Sequence, residues 1–251
     1  MQEKKIHIGK HEVFYKEFGN TDKPVLVILH GWGGSSVSWI NFSKFLEKTF
    51  HIFIPDLPGF GKTEIGETFT LEKYAELVES FVQKLQIGEY ILWGHSNGGA
   101  IASVVAHRNN TQIKKMVLNN SAGIRNDKKR GLKRKILGML SFGRNFPGYK
   151  FIRPYFHRLI GAQDYTQAEK NEYLRDTYKN MIQSDLQDVF PLIQVPVLML
   201  WGSADTYTPV SDAYTIKRLI PDVKLKIVDG ERHGIHLHAP EKLKQYFLEN
   251  I

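Results

Sequence analysis

Two apolar patterns take turns along the chain. PVLVILHG (24–31), FHIFIPDLPGFG (50–61), YILWGHS (90–96), KKMVLNNS (114–121), VPVLMLWGSAD (195–205) and VKLKIVDG (223–230) are short runs rich in apolar residues that end in Gly, Asn, Asp or Ser. A strand with one wet face alternates apolar and polar residues. Most of these runs do not, which predicts strands covered on both faces, as in a parallel sheet. Between them lie segments with helical spacing. LEKYAELVESFVQKL (71–85) puts Leu71, Tyr74, Leu77, Val78, Phe81 and Leu85 on one stripe. AIASVVAHRN, SDAYTIKRL and APEKLKQYFLEN supply further helices, and KIHI with EVFYKEFG reads as a short antiparallel start. Strand, helix, strand with short connectors predicts an α/β fold.

Residues 124–190 break the alternation. They hold the basic run KKRGLKRK (128–135), then FGRNFPGYKFIRPYFHRL and TQAEKNEYLRDTYKNMIQ, with helical periodicity but no clear apolar strand. The stretch reads as a mostly helical insertion after a core strand.

Sites in open parallel sheets gather beyond the C-terminal ends of the strands, so those ends are where chemistry is sought. GHSNG, at 94–98, places Ser96 between an apolar strand and a helical segment, in the pattern G-x-S-x-G. The turn needs small neighbours, because side chains at 94 or 98 would strike adjoining backbone. It exposes Ser96 and aims a helix N-terminus near it. A serine hydroxyl is a weak nucleophile without a base. Of ten histidines, His233 is the expected base, since it follows Gly230 in the loop after the strand LKIVD, with His236 as the alternative. His238 is assigned to packing or the surface, His30 to bracing its glycine turn, and His95 to a position beside the serine with its ring turned away.

The base needs an acid to fix its tautomer. Asp205, one turn beyond VLMLWG, is the expected partner. Asp56 is assigned to capping the PGFG turn, and Asp229 and Glu231 lie too near His233 in sequence to orient it. Developing negative charge on a substrate oxygen would meet the backbone N–H of Asn97 and that of Trp32 in HGWGG. That glycine loop has neither the G-x-x-x-x-G-K-[ST] nor the G-x-G-x-x-G spacing of a nucleotide site.

Composition removes several alternatives. With no cysteine, disulfides, thiolate nucleophiles and Cys-ligated metals are excluded. Apolar residues at 42% and charged at 24% fit a globular protein in one domain with an insertion. No window is long and apolar enough for a membrane span, and MQEKKIHIGKH does not resemble a signal peptide, so a cytoplasmic protein is expected. The net charge of +8 comes without a nucleic-acid motif and reads first as a solvated lysine-rich surface, with the run 128–135 as a possible anion-attracting patch.

HGWGG (30–34), DLPGFGKT (56–63), GHSNGG (94–99), WGSADTYTP (201–209) and GERHGIHLHAPEKL (230–243) together resemble the α/β-hydrolase superfamily over essentially the whole chain. The resemblance implies a mostly parallel sheet flanked by helices, with a core of 1–123 and 191–251 and a helical lid at 124–190 after the sixth strand. It implies Ser96 as nucleophile, Asp205 as acid, His233 as base, Trp32 and Asn97 at the oxyanion positions, and no metal or organic cofactor. Serine at this position argues against the dehalogenases and epoxide hydrolases of the superfamily, which use aspartate. A small-molecule carboxylic ester is the expected substrate. Hydrolysis of a carbon–carbon bond in a ring-cleavage (vinylogous diketone) acid is the alternative, and a hydrolase-like receptor or binding module a third reading. The lid aromatics Phe142, Phe146, Tyr149, Phe151, Tyr155 and Phe156 serve a pocket or lid–core packing equally well. Arg125, Arg144, Arg153 and Arg158 are available to a substrate carboxylate, with no clear match.

Overall fold

In a computed structural model, which describes residues 1–108, 111–125 and 171–251, the apolar runs become the strands of a single sheet. The strands are β1 (Gln2–Ile8), β2 (His11–Phe18), β3 (Val25–Leu29), β4 (His51–Pro55), β5 (Tyr90–His95), β6 (Ile113–Asn119), β7 (Val197–Gly202) and β8 (Val223–Val228). Their spatial order is β1-β2-β4-β3-β5-β6-β7-β8. The first two strands pair antiparallel, and β2 joins β4 antiparallel; every later pairing is parallel. The register aligns the strand ends that carry the candidate chemistry: Leu29 with Gly94, His95 with Asn119, Asn119 with Leu200, and Gly202 with Val228.

Both faces of the central strands are dry, which is why their sequences scarcely alternate. Val27, Leu29, Leu92, Leu118, Met199 and Trp201 point into one core layer. Leu26, Ile28, Ile52, Ile54, Trp93, Val117, Leu198 and Leu200 point into the other. On the first face lie α2 (Leu71–Lys84) and α3 (Asn97–His107); on the second lie α1 (Ile40–Leu46) and α7 (Pro240–Leu248). Helix α2 buries Leu71, Tyr74, Leu77, Val78 and Phe81 of the expected stripe, together with Ala75 and Val82. Thr70 caps it by accepting the Lys73 N–H at 3.3 Å. Leu85 falls just past the helix and is only partly buried.

Strand β8 departs from the expectation of two covered faces. It is the edge of the sheet, and only Val228 is fully buried. Its exposed Lys224 suits an edge, where a charge discourages pairing with another chain.

After β6, described structure resumes with α4 (Glu172–Gln183), within the segment read as helical. Asn171 caps it by accepting the Tyr173 N–H at 2.8 Å. The helix is fastened to the core through Thr177, whose hydroxyl accepts the Phe69 N–H at 2.8 Å, and Asn180, whose amide donates to Phe69 O at 3.0 Å. The basic run 128–135, the six lid aromatics, and Arg144, Arg153 and Arg158 lie outside the described residues, as does most of the expected lid. Helices α5 (Val210–Leu219) and α6 (Ile235–His238) complete the described α-helices. None of the described helices is long and apolar enough to cross a membrane.

Candidate active site

Ser96 sits on a backbone that few residues adopt. Its φ of 54° and ψ of −121° mark a strained turn between β5 and α3. The turn closes because its flanks have no side chains. A Cβ on Gly94 would lie 2.4 Å from Gly98 O, and one on Gly98 would lie 2.3 Å from Leu29 O. The serine's own backbone is tied down, its N–H donating to Asn119 O at 3.1 Å and its carbonyl accepting from Ala122 N at 2.9 Å. Helix α3 starts directly after it, and the Asn97 N–H has no backbone acceptor among the described residues. Neither does the Trp32 N–H. Among the described residues, these two donors at the strand ends are thus unspent on backbone acceptors.

The turn carrying Trp32 is braced from below by His30, as expected, while Asp56 reaches both this loop and the PGFG turn assigned to it. The His30 ring is buried; Nδ1 donates to Gly31 O at 2.8 Å and Nε2 accepts the Leu57 N–H at 3.0 Å. These partners fix the tautomer, since one nitrogen faces an acceptor and the other a donor. Burial lowers the His30 pKa and keeps the ring neutral. Asp56 accepts the N–H of Ser36 at 2.7 Å and that of Lys62 at 3.0 Å.

Asp205 and His233 come together across the ends of β7 and β8. His233 Nδ1 lies 2.8 Å from Asp205 Oδ2. The acid's other oxygen accepts the N–H groups of Tyr207 at 2.8 Å and Thr208 at 3.0 Å. Burial by itself would raise the Asp205 carboxyl, but hydrogen bonds from His233, Asn120 and Thr208 and the charge on His233 outweigh it. The carboxyl is held below its usual range. Among the described residues Ser96 Oγ makes no hydrogen bond, to His233 or to any other group. A nucleophile–base contact that is loose without substrate is common and closes when the reacting complex forms.

The competing assignments separate cleanly. His236 lies flat on Trp39, with ring centroids 4.1 Å apart and planes 6° from parallel, and burial pulls its pKa down to about 3. Such a ring is committed to the stack on Trp39. His238 is exposed. Asp229 accepts from Ser203 Oγ at 3.0 Å, and Glu231 faces Lys242 at 3.9 Å.

Three residues with a place in this arrangement were not singled out for it by sequence. Asn120 donates its side-chain amide to Asp205 Oδ2. Thr208 Oγ1 lies 2.8 Å from the same oxygen and 3.1 Å from Asn120 O. His95 does not merely turn away from the serine, because its Nε2 lies 2.9 Å from the carbonyl oxygen of His233. The signal for Thr208 was its place three residues after the acid, where a side chain folds back over a turn. For Asn120 it was an asparagine at a strand end, the residue type most at ease with its φ of 47°.

Comparison with known proteins agrees with this fold. The family model described as alpha/beta hydrolase fold matches residues 24–151. The chain belongs to the α/β-hydrolase family. It is 27% identical to a pimeloyl-(acyl-carrier protein) methyl ester esterase of Wigglesworthia glossinidia brevipalpis, over 90% of this chain and 94% of the relative. It is 27% identical to a bifunctional esterase/perhydrolase of Acinetobacter calcoaceticus, over 96% of each chain. Among solved structures, a thermophilic esterase from Thermogutta terrifontis superimposes with a TM-score of 0.75 at 19% identity, covering 99% of this chain and 97% of that one, a likeness of fold.

Proposed function

We propose that this hydrolase cleaves carboxylic esters of small or medium acyl chains through a covalent acyl-enzyme. Ser96 is the nucleophile, His233 the base and Asp205 the acid that orients it. The observation that carries the reading is the Asp205–His233 pair at 2.8 Å, on the same sheet edge as the strained Ser96 turn.

As Ser96 Oγ bonds to the ester carbonyl carbon, its proton passes to His233 Nε2. The carbonyl oxygen becomes an anion, met by the N–H groups of Trp32 and Asn97. The tetrahedral species collapses, the carbon–oxygen bond to the alcohol breaks, and His233 returns the proton to the departing alkoxide. Water then attacks the acyl-enzyme, gives its proton to His233, and Ser96 leaves with that proton restored. Asp205 stays ionised and stabilises the imidazolium. No step calls on a metal or organic cofactor.

Support for an ester comes from the esterases among the relatives. Residues 124–190 are assigned as the lid over a core of 1–123 and 191–251, and as the part that selects the acyl chain. Its described end already meets the oxyanion turn, where the Tyr178 ring lies 5.0 Å from that of Trp32. Hydrolysis of p-nitrophenyl esters of graded chain length tests the proposal, with Ser96→Ala as the control. A folded Ser96→Ala protein that keeps full activity overturns it.

A further inference from the structure

We propose that His95 is a positioning residue: its imidazole holds the backbone of His233 in place and spaces it from the turn at Gly31, so that the base stays over Ser96. This rests on the Ser96–His233 reading above. His95 is the last residue of β5 and is 8% exposed. Its Nε2 lies 2.9 Å from His233 O, and among the described residues the His233 backbone makes no other hydrogen bond. The loop that carries the base therefore has two anchors at this residue. Asp205 holds the ring and His95 holds the main chain.

The opposite side of the same imidazole faces the oxyanion turn. A Cβ on Gly31 would lie 3.0 Å from His95 Nδ1 and 2.9 Å from Ser96 Cβ, so the Gly31 backbone packs directly on both residues. One ring thus touches the loop of the base and the turn of the oxyanion donors, and it belongs to the residue before the nucleophile. A shift of any of the three changes its distance to the other two, and misplacement of reacting groups by about 1 Å costs about a hundredfold in rate.

The chemistry of the ring suits this task. A carbonyl only accepts, so the proton of a neutral His95 is on Nε2. The ring is held neutral by burial first, and then by the neighbouring His236, His233 and His30, which face it from α6, the β8 loop and the end of β3. Neutrality matters because the His233 ring centroid is only 4.8 Å away. A charged His95 there would oppose the imidazolium that His233 becomes during the reaction.

The test uses a fluorophosphonate, which requires an activated serine but no known substrate. The maximal rate of Ser96 labelling and the half-saturating concentration are measured for wild type, His95→Phe, His95→Gln and His95→Asn, with folding followed by circular dichroism. Phe keeps the ring shape without a donor. Gln places an amide N–H near the position of Nε2, and Asn falls short of it. His95→Phe and His95→Asn are expected to lower the maximal rate by about tenfold or more, with half-saturation changed by less than about twofold, and His95→Gln to recover most of the loss. If His95→Phe does not fold, the Gln and Asn pair decides. Wild-type rates in the folded Phe or Asn variants, or a Gln variant as slow as Asn, overturn the proposal for His95 alone. A wild-type protein unlabelled at Ser96, or labelling undiminished in His233→Ala, instead defeats the nucleophile–base reading and the proposal with it.

Discussion

Asn120 donates its side-chain amide to the very oxygen of Asp205 that faces His233. The acid is thereby held by the end of β6 as well as by its own loop, and its oxygen is aimed before any substrate arrives. Asn120→Asp keeps the shape and the tolerance for positive φ but sets a second carboxylate against the first. Two carboxylates at this separation do not both ionise easily. The variant is expected to lose about tenfold or more in kcat/KM for p-nitrophenyl butyrate at neutral pH. Activity at the wild-type level would show that the acid is oriented by other contacts.

Asp205→Asn removes the charge while keeping size and the hydrogen bonds that Oδ1 accepts from the Tyr207 and Thr208 N–H groups. The His233 tautomer is then no longer fixed, and kcat is expected to fall by about 10,000-fold. Thr208→Val removes one of several donors to the same carboxylate, so its loss is expected to be much smaller, about tenfold or less. Steady-state kinetics of the two variants side by side check the ordering.

Stability is expected to fall on mild acidification because of buried histidines, His236 and His95 together with His30. The pKa of His236 is pulled down to about 3 and that of His95 well below the ordinary histidine value, chiefly by burial. Between the unfolded value near 6.5 and the folded value, the unfolded chain binds protons that the native state does not. The native state therefore loses stability as pH falls through that window and keeps it above. The slope is roughly 1 kcal/mol per pH unit for each such histidine. His236→Phe keeps the stack on Trp39 and removes one of these groups, so urea unfolding between pH 7 and pH 5 is expected to show a shallower slope than wild type.

Gly98→Ala tests the close approach beneath the serine turn. Its Cβ would sit 2.3 Å from Leu29 O and 2.6 Å from His30 O, both main chain and unable to step aside. Overpacking of this kind is expected to cost about 1–3 kcal/mol or more in urea unfolding, with ester hydrolysis reduced further than stability alone explains.

The strand ends were legible because each apolar run stops at a glycine or a small polar residue, and the sheet register then lines those stops up. The arrival of Ser96, Asp205 and His233 at one edge of the sheet follows from that, together with G-x-S-x-G around Ser96, as does the place of His30 beneath its glycine turn. The Asn120 and His95 contacts were not legible. Each is a side chain meeting a group 85 or 138 residues away, and no local pattern encodes which neighbour a strand-end side chain will face. The edge character of β8 was muted for a related reason: VKLKIVDG carries as many apolar residues as an inner strand needs, and only the strand order reveals that one side is unpaired.

A crystal structure of the protein inactivated by a phosphonate ester interrogates nucleophile and oxyanion donors at once. Expected is a phosphorus–oxygen bond to Ser96 Oγ, with a phosphonyl oxygen about 3 Å from both the Trp32 and Asn97 nitrogens and His233 turned toward the serine oxygen. Phosphorus on another residue, or a phosphonyl oxygen facing away from both nitrogens, would contradict the assignment of this strand-end cluster as the catalytic centre.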